Sequence, residues 1–204
     1  MMETRELERL QKIKQAKDAS RDRRKGNEKG LYIIFTGLGK GKTSSAMNLV
    51  YRHLAHDLSA AVVQFVKNCE AYPDGDRLFL RRLQKMGFPV QIHTLGAGFT
   101  WETQDPAKDR RATEEAWQVA KGYIQDPAIN LVVLDELHIA IKHQQISVET
   151  VLPVIQSRPY HCHVVSTGRY APQELIDHAD LVSEMRLIKH PIQQGIPAQV
   201  GIEF

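Results

Sequence analysis

The sequence predicts an α/β protein built on a doubly wound, mostly parallel sheet. From residue 30 onward, apolar segments of strand length alternate with segments of helical character. Such alternation is typical of a parallel sheet that carries helices on both faces. A glycine-rich segment ending in Gly-Lys-Thr also joins the first apolar segment to the first helical one. That order of strand, glycine-rich turn and helix indicates a phosphate-binding loop.

Six segments are predicted strands, because they are short and apolar or alternate apolar and polar residues. They are Leu31–Thr36, Ala60–Val66, Pro89–Leu95, Asn130–Leu134, His161–Thr167 and Leu181–Ile188. Ligands of doubly wound sheets bind at the carboxyl ends of the strands. The glycine-rich loop, Asp135-Glu136 and Gly168-Arg169 all follow predicted strands, so we expect them to meet in one site.

Five helices are predicted after the first strand. They are Ser44–His56, Arg77–Met86, 106–125, Val148–Gln156 and Pro172–His178. Ser44–His56 carries its apolar residues on one side, as a helix that packs on a sheet does. Pro106 suits the first position of a helix, where no N–H donor is needed. Residues 96–105 are predicted to form a glycine-containing loop.

Composition indicates an ordinary soluble protein of 204 residues, with 42% hydrophobic and 25% charged residues. No apolar run approaches the roughly 20 residues that span a bilayer, so we expect no membrane partner. The charged N-terminus lacks the apolar segment of a secretory signal. Two widely spaced cysteines, Cys69 and Cys162, favour a reducing cytoplasmic location with free thiols.

The charge divides the chain into a basic arm, residues 1–29, and a domain, residues 30–204. The arm has a net charge of +4 and the remainder −1. Leu7, Leu10 and Ile13 lie at helical spacing, so the arm is predicted to be partly helical and to need a docking surface. It could bind nucleic acid, remain solvated or cover an anionic ligand. No aromatic residue interleaves its basic residues for base stacking, so we expect no nucleic-acid partner.

The glycine-rich loop is the strongest functional signal. Its predicted ATP-binding residues are Thr36, Gly37, Leu38, Gly39, Lys40, Gly41, Lys42, Thr43 and Ser44. Lys42 is expected to reach a phosphate and the Thr43 hydroxyl to ligate Mg²⁺. Thr36 stands where the motif has its first glycine, and Lys40 is an additional lysine. The alternative is a chance Gly-Lys-Thr turn before an exposed helix.

Two further strand ends carry candidate site residues. Asp135 and Glu136 follow a buried strand and are predicted to hold Mg²⁺ or Mn²⁺. They could instead cap the next helix. Arg169 is suited to bidentate phosphate contact, although it could be an ordinary surface arginine. With the phosphate loop, these residues predict a RecA-like domain.

Other residues allow two interpretations. Phe99 and Trp101 could attach their loop to the core, as aromatics commonly do, or belong to a site. His161 with His163, or His138 with His143, are conceivable metal pairs. Neither set has the spacing of a complete metal site, which favours structural histidines.

Six motifs recur in the order known from one family. They are Thr36–Thr43 of the loop, Val63-Gln64-Phe65-Val66-Lys67, Gly98-Phe99-Thr100-Trp101-Glu102-Thr103, Val132-Val133-Leu134-Asp135-Glu136-Leu137, Thr167-Gly168-Arg169 and Ala198-Gln199-Val200-Gly201-Ile202-Glu203-Phe204. Over nearly all of residues 30–204, the chain resembles the ATP:corrinoid adenosyltransferases of the phosphate-loop type. Leu38, Asn68 and Pro197 depart from the residues usual in that family.

The resemblance implies that a corrinoid cobalt(I) attacks the 5′-carbon of ATP and releases triphosphate. No general base is required, and Lys42 and Arg169 would stabilise the leaving group. ATP would lie reversed in the loop. Phe99 and Trp101 would bind the corrinoid and displace its lower axial ligand, which eases reduction of cobalt(II).

The resemblance also implies partners. The arm would fold over the nucleotide in a homodimer, and a reduced flavoprotein such as flavodoxin would be a transient electron donor. Two alternatives stay open from the residues alone. One is a phosphate-loop kinase or NTPase that releases ADP, and the other is a non-catalytic corrinoid carrier or nucleic-acid binder.

Overall fold

The computed structural model describes residues 2–22, 28–66, 74–95 and 105–203, with side chains from residue 6 to 20 in the first range. Its strands are β1 (Tyr32–Thr36), β2 (Ala60–Gln64), β3 (Val90–Thr94), β4 (Leu131–Asp135), β5 (His163–Thr167) and β6 (Leu181–Glu184). Its α-helices are α1 (Met2–Asp22), α2 (Lys42–Leu54), α3 (Gly75–Lys85), α4 (Pro106–Gln125), α5 (Leu137–Lys142), α6 (Val148–Gln156) and α7 (Gln173–His178). A 3₁₀ turn spans Pro191–Gln194.

The six strands form one sheet in the order β3-β2-β4-β5-β1-β6. Every neighbouring pair is parallel. β5 lies between β1 and β4, so the carboxyl ends of these three strands are adjacent at one edge of the sheet. The predicted doubly wound, RecA-like α/β fold is confirmed.

The core lies on both faces of the sheet. Ile33 belongs to the cluster formed with α2 and α3, whereas Ile34 belongs to the cluster formed with α4 to α7. Consecutive strand residues point to opposite faces, which assigns each to its own layer. Trp117 of α4 is the largest fully buried side chain on the second face. Burial on both sides explains why the central strands are apolar throughout.

Most predicted elements are present, with small shifts at their ends. The bounds of α4 and α6 are as predicted, and β6 ends at Glu184 rather than Ile188. No helix is predicted at Leu137–Lys142, where the structure has α5. This helix has only six residues and follows Glu136, whose side chain does not cap it, so its start carries no sequence signal. Of the predicted loop at 96–105, only Asp105 lies among the described residues.

Residues Met2–Asp22 form the helix α1. Leu7 and Leu10 on this helix are each 58% exposed, so their apolar stripe faces solvent. A domain boundary at residues 29 and 30 stays a prediction. Among the described residues, no helix has the length and apolar character needed to cross a membrane.

Candidate functional site: a phosphate-loop cavity

The glycine-rich loop follows β1 and turns directly into α2. Gly37 has φ of 97° and Gly41 has φ of 108°, a backbone region that glycine adopts without steric penalty. A Cβ at Gly37 would also lie 2.5 Å from the carbonyl oxygen of Met185. No described side chain caps the start of α2. Its first N–H groups and the loop amides are therefore available to an anion.

Lys42 is the central cation of the loop. Its Nζ donates to the carbonyl oxygens of Gly37 at 2.9 Å and Gly39 at 2.7 Å. The side chain is only 7% exposed. Burial lowers the pKa of Lys42, an effect opposed by the negative charge of Glu136. An ammonium group has three N–H donors, so these two bonds leave one for a phosphate oxygen.

Asp135 joins the loop to β5. Its Oδ1 accepts hydrogen bonds from Thr43 Oγ1 at 2.9 Å and Thr167 Oγ1 at 2.7 Å. Asp135 itself is fully buried at the end of β4. The bond fixes the Thr43 hydroxyl while leaving its oxygen lone pairs available to a cation.

Gln64 extends this network to the opposite wall. Its Nε2 donates to Asp135 Oδ2 at 3.2 Å and to Asp74 Oδ2 at 3.1 Å. Its Oε1 accepts from Thr94 Oγ1 at 2.8 Å. Gln64 is fully buried, so one amide joins the end of β4 to the start of α3. Its motif, Val63–Lys67, pointed to this residue without indicating the role.

Glu136 follows Asp135 and directly precedes α5. Its φ of 62° is uncommon for a residue other than glycine. Its backbone N–H donates to Thr167 Oγ1 at 3.0 Å, which holds this conformation. The Glu136 side chain lines the cavity, so the two adjacent acids face different surroundings.

A cavity of about 500 Å³ brings most of the predicted loop and strand-end residues together, whereas Gly37 and Asp135 do not line it. Its lining contains Leu38, Gly39, Lys40, Gly41, Lys42, Thr43, Ser44, Glu136 and Arg169. Thr36 does not line the cavity. Its Oγ1 instead accepts a hydrogen bond from the N–H of Ala171 at 3.2 Å. The lining also includes residues that are not among the predicted site residues: Asp74, Gly75, Asp76, His190, Gly201, Ile202 and Glu203.

The tail reaches the loop through an ion pair. Lys40 Nζ contacts Glu203 Oε2, and the Lys40 side chain remains 51% exposed. Burial lowers the pKa of Lys40, and the charge of Arg169 lowers it further. The additional lysine of the loop therefore contacts the C-terminal motif, a contact that spacing along the sequence does not reveal.

The oxygen donors of the cavity fit a small hard cation. Thr43 and Glu136 present a hydroxyl and a carboxylate, ligands that suit Mg²⁺ or Mn²⁺. Within the described ranges, no group of three or more His, Cys, Asp and Glu residues could hold a metal. Mg²⁺ commonly takes one or two carboxylates together with substrate phosphates, so this donor set is adequate.

Three of the four histidines of the conceivable metal pairs, His138, His161 and His163, have other contacts. His138 is fully buried, and burial lowers its pKa to about 4. His163 Nδ1 accepts from the N–H of Leu31 at 3.1 Å, and His161 Nε2 lies 3.0 Å from the carbonyl of Pro127. These contacts support the structural interpretation. Burial also raises the pKa of the Cys162 thiol to about 11, which disfavours the thiolate. Phe99, Trp101 and Cys69 lie outside the described residues.

Comparison with known proteins identifies the family. Residues 28–204 match the family model described as ATP:corrinoid adenosyltransferase BtuR/CobO/CobP. A corrinoid adenosyltransferase of Sinorhizobium sp. is 46% identical over 181 residues, covering 88% of this chain and 83% of that protein. One of Pseudomonas aeruginosa is 45% identical over 194 residues, covering 95% and 89%. Corrinoid adenosyltransferase CobA of Salmonella typhimurium is 38% identical over the full length of both chains. This chain therefore belongs to the BtuR/CobO/CobP family of ATP:corrinoid adenosyltransferases.

Proposed function

We propose that this chain transfers the 5′-deoxyadenosyl group of ATP to the cobalt(I) centre of a corrinoid and releases triphosphate, in adenosylcobalamin synthesis or salvage. Membership of the family supports the reaction. The structural observation that carries it is the polar cavity in which Lys42, Thr43, Glu136 and Arg169 converge.

The cavity suits the departure of a triphosphate. As the cobalt–carbon bond forms, the bond between the 5′-carbon and its oxygen breaks, and its electron pair goes to the triphosphate. Lys42 and the amides at the start of α2 would stabilise this charge. Arg169 would add a bidentate contact. Cobalt(I) carries no proton, so no residue has to act as a general base.

We place a Mg²⁺ or Mn²⁺ ion at the Thr43 hydroxyl and the Glu136 carboxylate. Asp135 would orient the Thr43 hydroxyl toward the ion, because its Oδ1 accepts the hydrogen bond from Thr43 Oγ1. The ion would neutralise part of the phosphate charge. By holding the ion in place, Thr43 and Glu136 would help to fix the orientation of the triphosphate, which aims the ribose carbon at the attacking cobalt.

Partners follow from the family and from the arm. We propose a homodimer in which the arm covers the nucleotide, and a reduced flavoprotein as transient electron donor. The exposed stripe of Leu7, Leu10 and Ile13 supports a docking role for α1. A cytoplasmic location stays a prediction from the two cysteines.

The products separate this reaction from phosphoryl transfer. With ATP, Mg²⁺ and chemically reduced cobalamin or cobinamide, we expect one triphosphate for each adenosylated corrinoid. Anion-exchange chromatography measures the triphosphate, and the visible spectrum of the corrinoid measures its adenosylation. Release of ADP and phosphate without a change in the corrinoid spectrum would show a kinase or NTPase instead.

Trp101 provides a test of the corrinoid site. We propose that Phe99 and Trp101 bind the corrinoid and displace its lower axial ligand. Trp101→Ala is therefore expected to lower turnover of cobalt(II) substrate by at least about tenfold more than turnover of pre-reduced cobalt(I), since only the first requires an accessible reduction potential. Tyr160→Ala, which removes an exposed aromatic side chain outside the loop, is the control. Equal losses on both substrates would contradict ligand displacement.

A further inference from the structure

The segment that carries Arg169 has an unusual backbone. We call residues 167–171, which follow β5, the arginine arch. Gly168 has φ of 137° and Tyr170 has φ of 61°, so a positive φ lies on each side of Arg169. A tyrosine adopts this conformation rarely, and it persists only where its surroundings enforce it. The arch must therefore be held by its neighbours.

A buried chain of hydrogen bonds holds the first half of the arch. Tyr32 OH lies 3.0 Å from Ser166 Oγ, and Ser166 Oγ lies 2.9 Å from His138 Nε2. His138 Nδ1 lies 3.2 Å from the carbonyl oxygen of Gly168. A carbonyl only accepts, so Nδ1 carries the proton, Nε2 accepts from Ser166, and Ser166 accepts from Tyr32. The hydrogen bonds therefore all run in one direction, from Tyr32 through Ser166 and His138 to the carbonyl of Gly168.

His138 and Gly168 also fit each other sterically. A Cβ at position 168 would lie 2.8 Å from His138 Cβ. The imidazole can approach the Gly168 carbonyl because this position has no side chain. His138 is fully buried, so water does not compete for the bond.

The second half of the arch has its own contacts. Lys142 Nζ lies 3.7 Å above the centre of the Tyr170 ring, a cation–π contact from the end of α5. The N–H of Ala171, the last residue of the arch, donates to Thr36 Oγ1, and at the other end of the arch Thr167 Oγ1 donates to Asp135. Arg169, between these contacts, is exposed and lines the phosphate cavity.

We propose that His138 is a positioning residue, which through the Gly168 carbonyl orients the peptide before Arg169 and so presents the guanidinium to a triphosphate. Ser166 and Tyr32 assist by fixing the imidazole. The proposal rests on the proposed function, because it takes triphosphate as the anion. Orientation before binding reduces the entropy lost when the anion is held.

Two variants of His138 distinguish the contributions of its two ring nitrogens. His138→Asn keeps a donor near the Nδ1 position, whereas His138→Gln keeps a polar group near the Nε2 position and loses the donor to Gly168. We expect His138→Gln to weaken binding of inorganic triphosphate with Mg²⁺ about tenfold, and His138→Asn to weaken it less than about threefold. Isothermal titration calorimetry measures both.

A double-mutant cycle shows whether His138 acts through Arg169. In an Arg169→Ala background, we expect His138→Gln to leave triphosphate binding unchanged. An equal loss in both backgrounds would assign His138 a general structural role and overturn the proposal, as would stronger binding by the Gln variant than by the Asn variant. If His138→Gln does not fold, Ser166→Ala replaces it in the same cycle.

The same measurements distinguish the two proposals. If the wild type binds triphosphate and the cycle shows no coupling, the positioning role is wrong and adenosyl transfer is unaffected. If the wild type binds no triphosphate, Arg169 has no such anion to hold and the positioning role is overturned. The proposed function is tested by itself, through the wild-type assay of corrinoid products.

Discussion

Lys42→Ala is expected to lower kcat/KM for ATP by about 10²–10³-fold, the usual cost of removing one donor to a transition-state anion. The ammonium group lies across the loop and donates to the carbonyls of Gly37 and Gly39. Alanine removes the charge and leaves both carbonyls without that donor. The variant should therefore lose triphosphate affinity as well as turnover.

Lys40 provides the matched control within the same loop. Its side chain is half exposed and pairs with Glu203, and exposed ion pairs contribute only about 0–1 kcal/mol. Lys40→Ala should lower kcat/KM less than Lys42→Ala does, because Lys40 pairs with Glu203 and does not donate to the loop carbonyls. Steady-state kinetics and triphosphate calorimetry measure both variants. Full activity of Lys42→Ala would contradict the assignment of the phosphate loop.

The sheet could be predicted because burial leaves a strong local pattern. Residues 60–64 and 131–135 are fully buried, and a strand covered on both faces has few positions for polar residues. The phosphate loop could also be predicted, because Gly37 and Gly41 adopt backbone angles that favour glycine. In both cases each residue is selected by its immediate surroundings.

The partners across the cavity could not be predicted in this way. Gln64 and Asp135 are 71 positions apart, and they meet because β2 and β4 are neighbours in the sheet. Lys40 and Glu203 are far apart in the sequence and meet only in the folded chain. Strand order and tail path are set by packing of the whole domain, so no local pattern reports them.

The role of His138 could not be predicted from the sequence either. A histidine near a strand end is compatible with a metal site, a catalytic role or a structural bond. Its partner Ser166 lies on β5, 28 positions away. Only the folded arrangement of β5 against α5 indicates which nitrogen donates and that the accepting carbonyl precedes Arg169.

Asp135→Asn is expected to weaken Mn²⁺-dependent triphosphate binding by at least about tenfold and to lower thermal stability, because Asp135 hydrogen-bonds with Thr43, Thr167 and Gln64. An amide keeps one acceptor for Thr43 and Thr167 but turns a donor toward Gln64 Nε2, which is itself a donor. Rotating the Gln64 amide would relieve this clash and then face its oxygen toward Asp74. A buried unsatisfied polar group costs about 1–3 kcal/mol, so some loss of stability is unavoidable.

Glu136→Gln separates metal binding from stability. Glu136 faces the cavity rather than the core, so its amide variant should weaken Mn²⁺-dependent binding while leaving the melting temperature within about 2 °C of wild type. Calorimetry with triphosphate at several Mn²⁺ concentrations, together with thermal unfolding, measures both effects. If neither variant alters the Mn²⁺ dependence, the ion is not held by this pair of acids. If Asp135→Asn alters only the melting temperature, Asp135 supports the fold alone and the ion depends on Thr43 and Glu136.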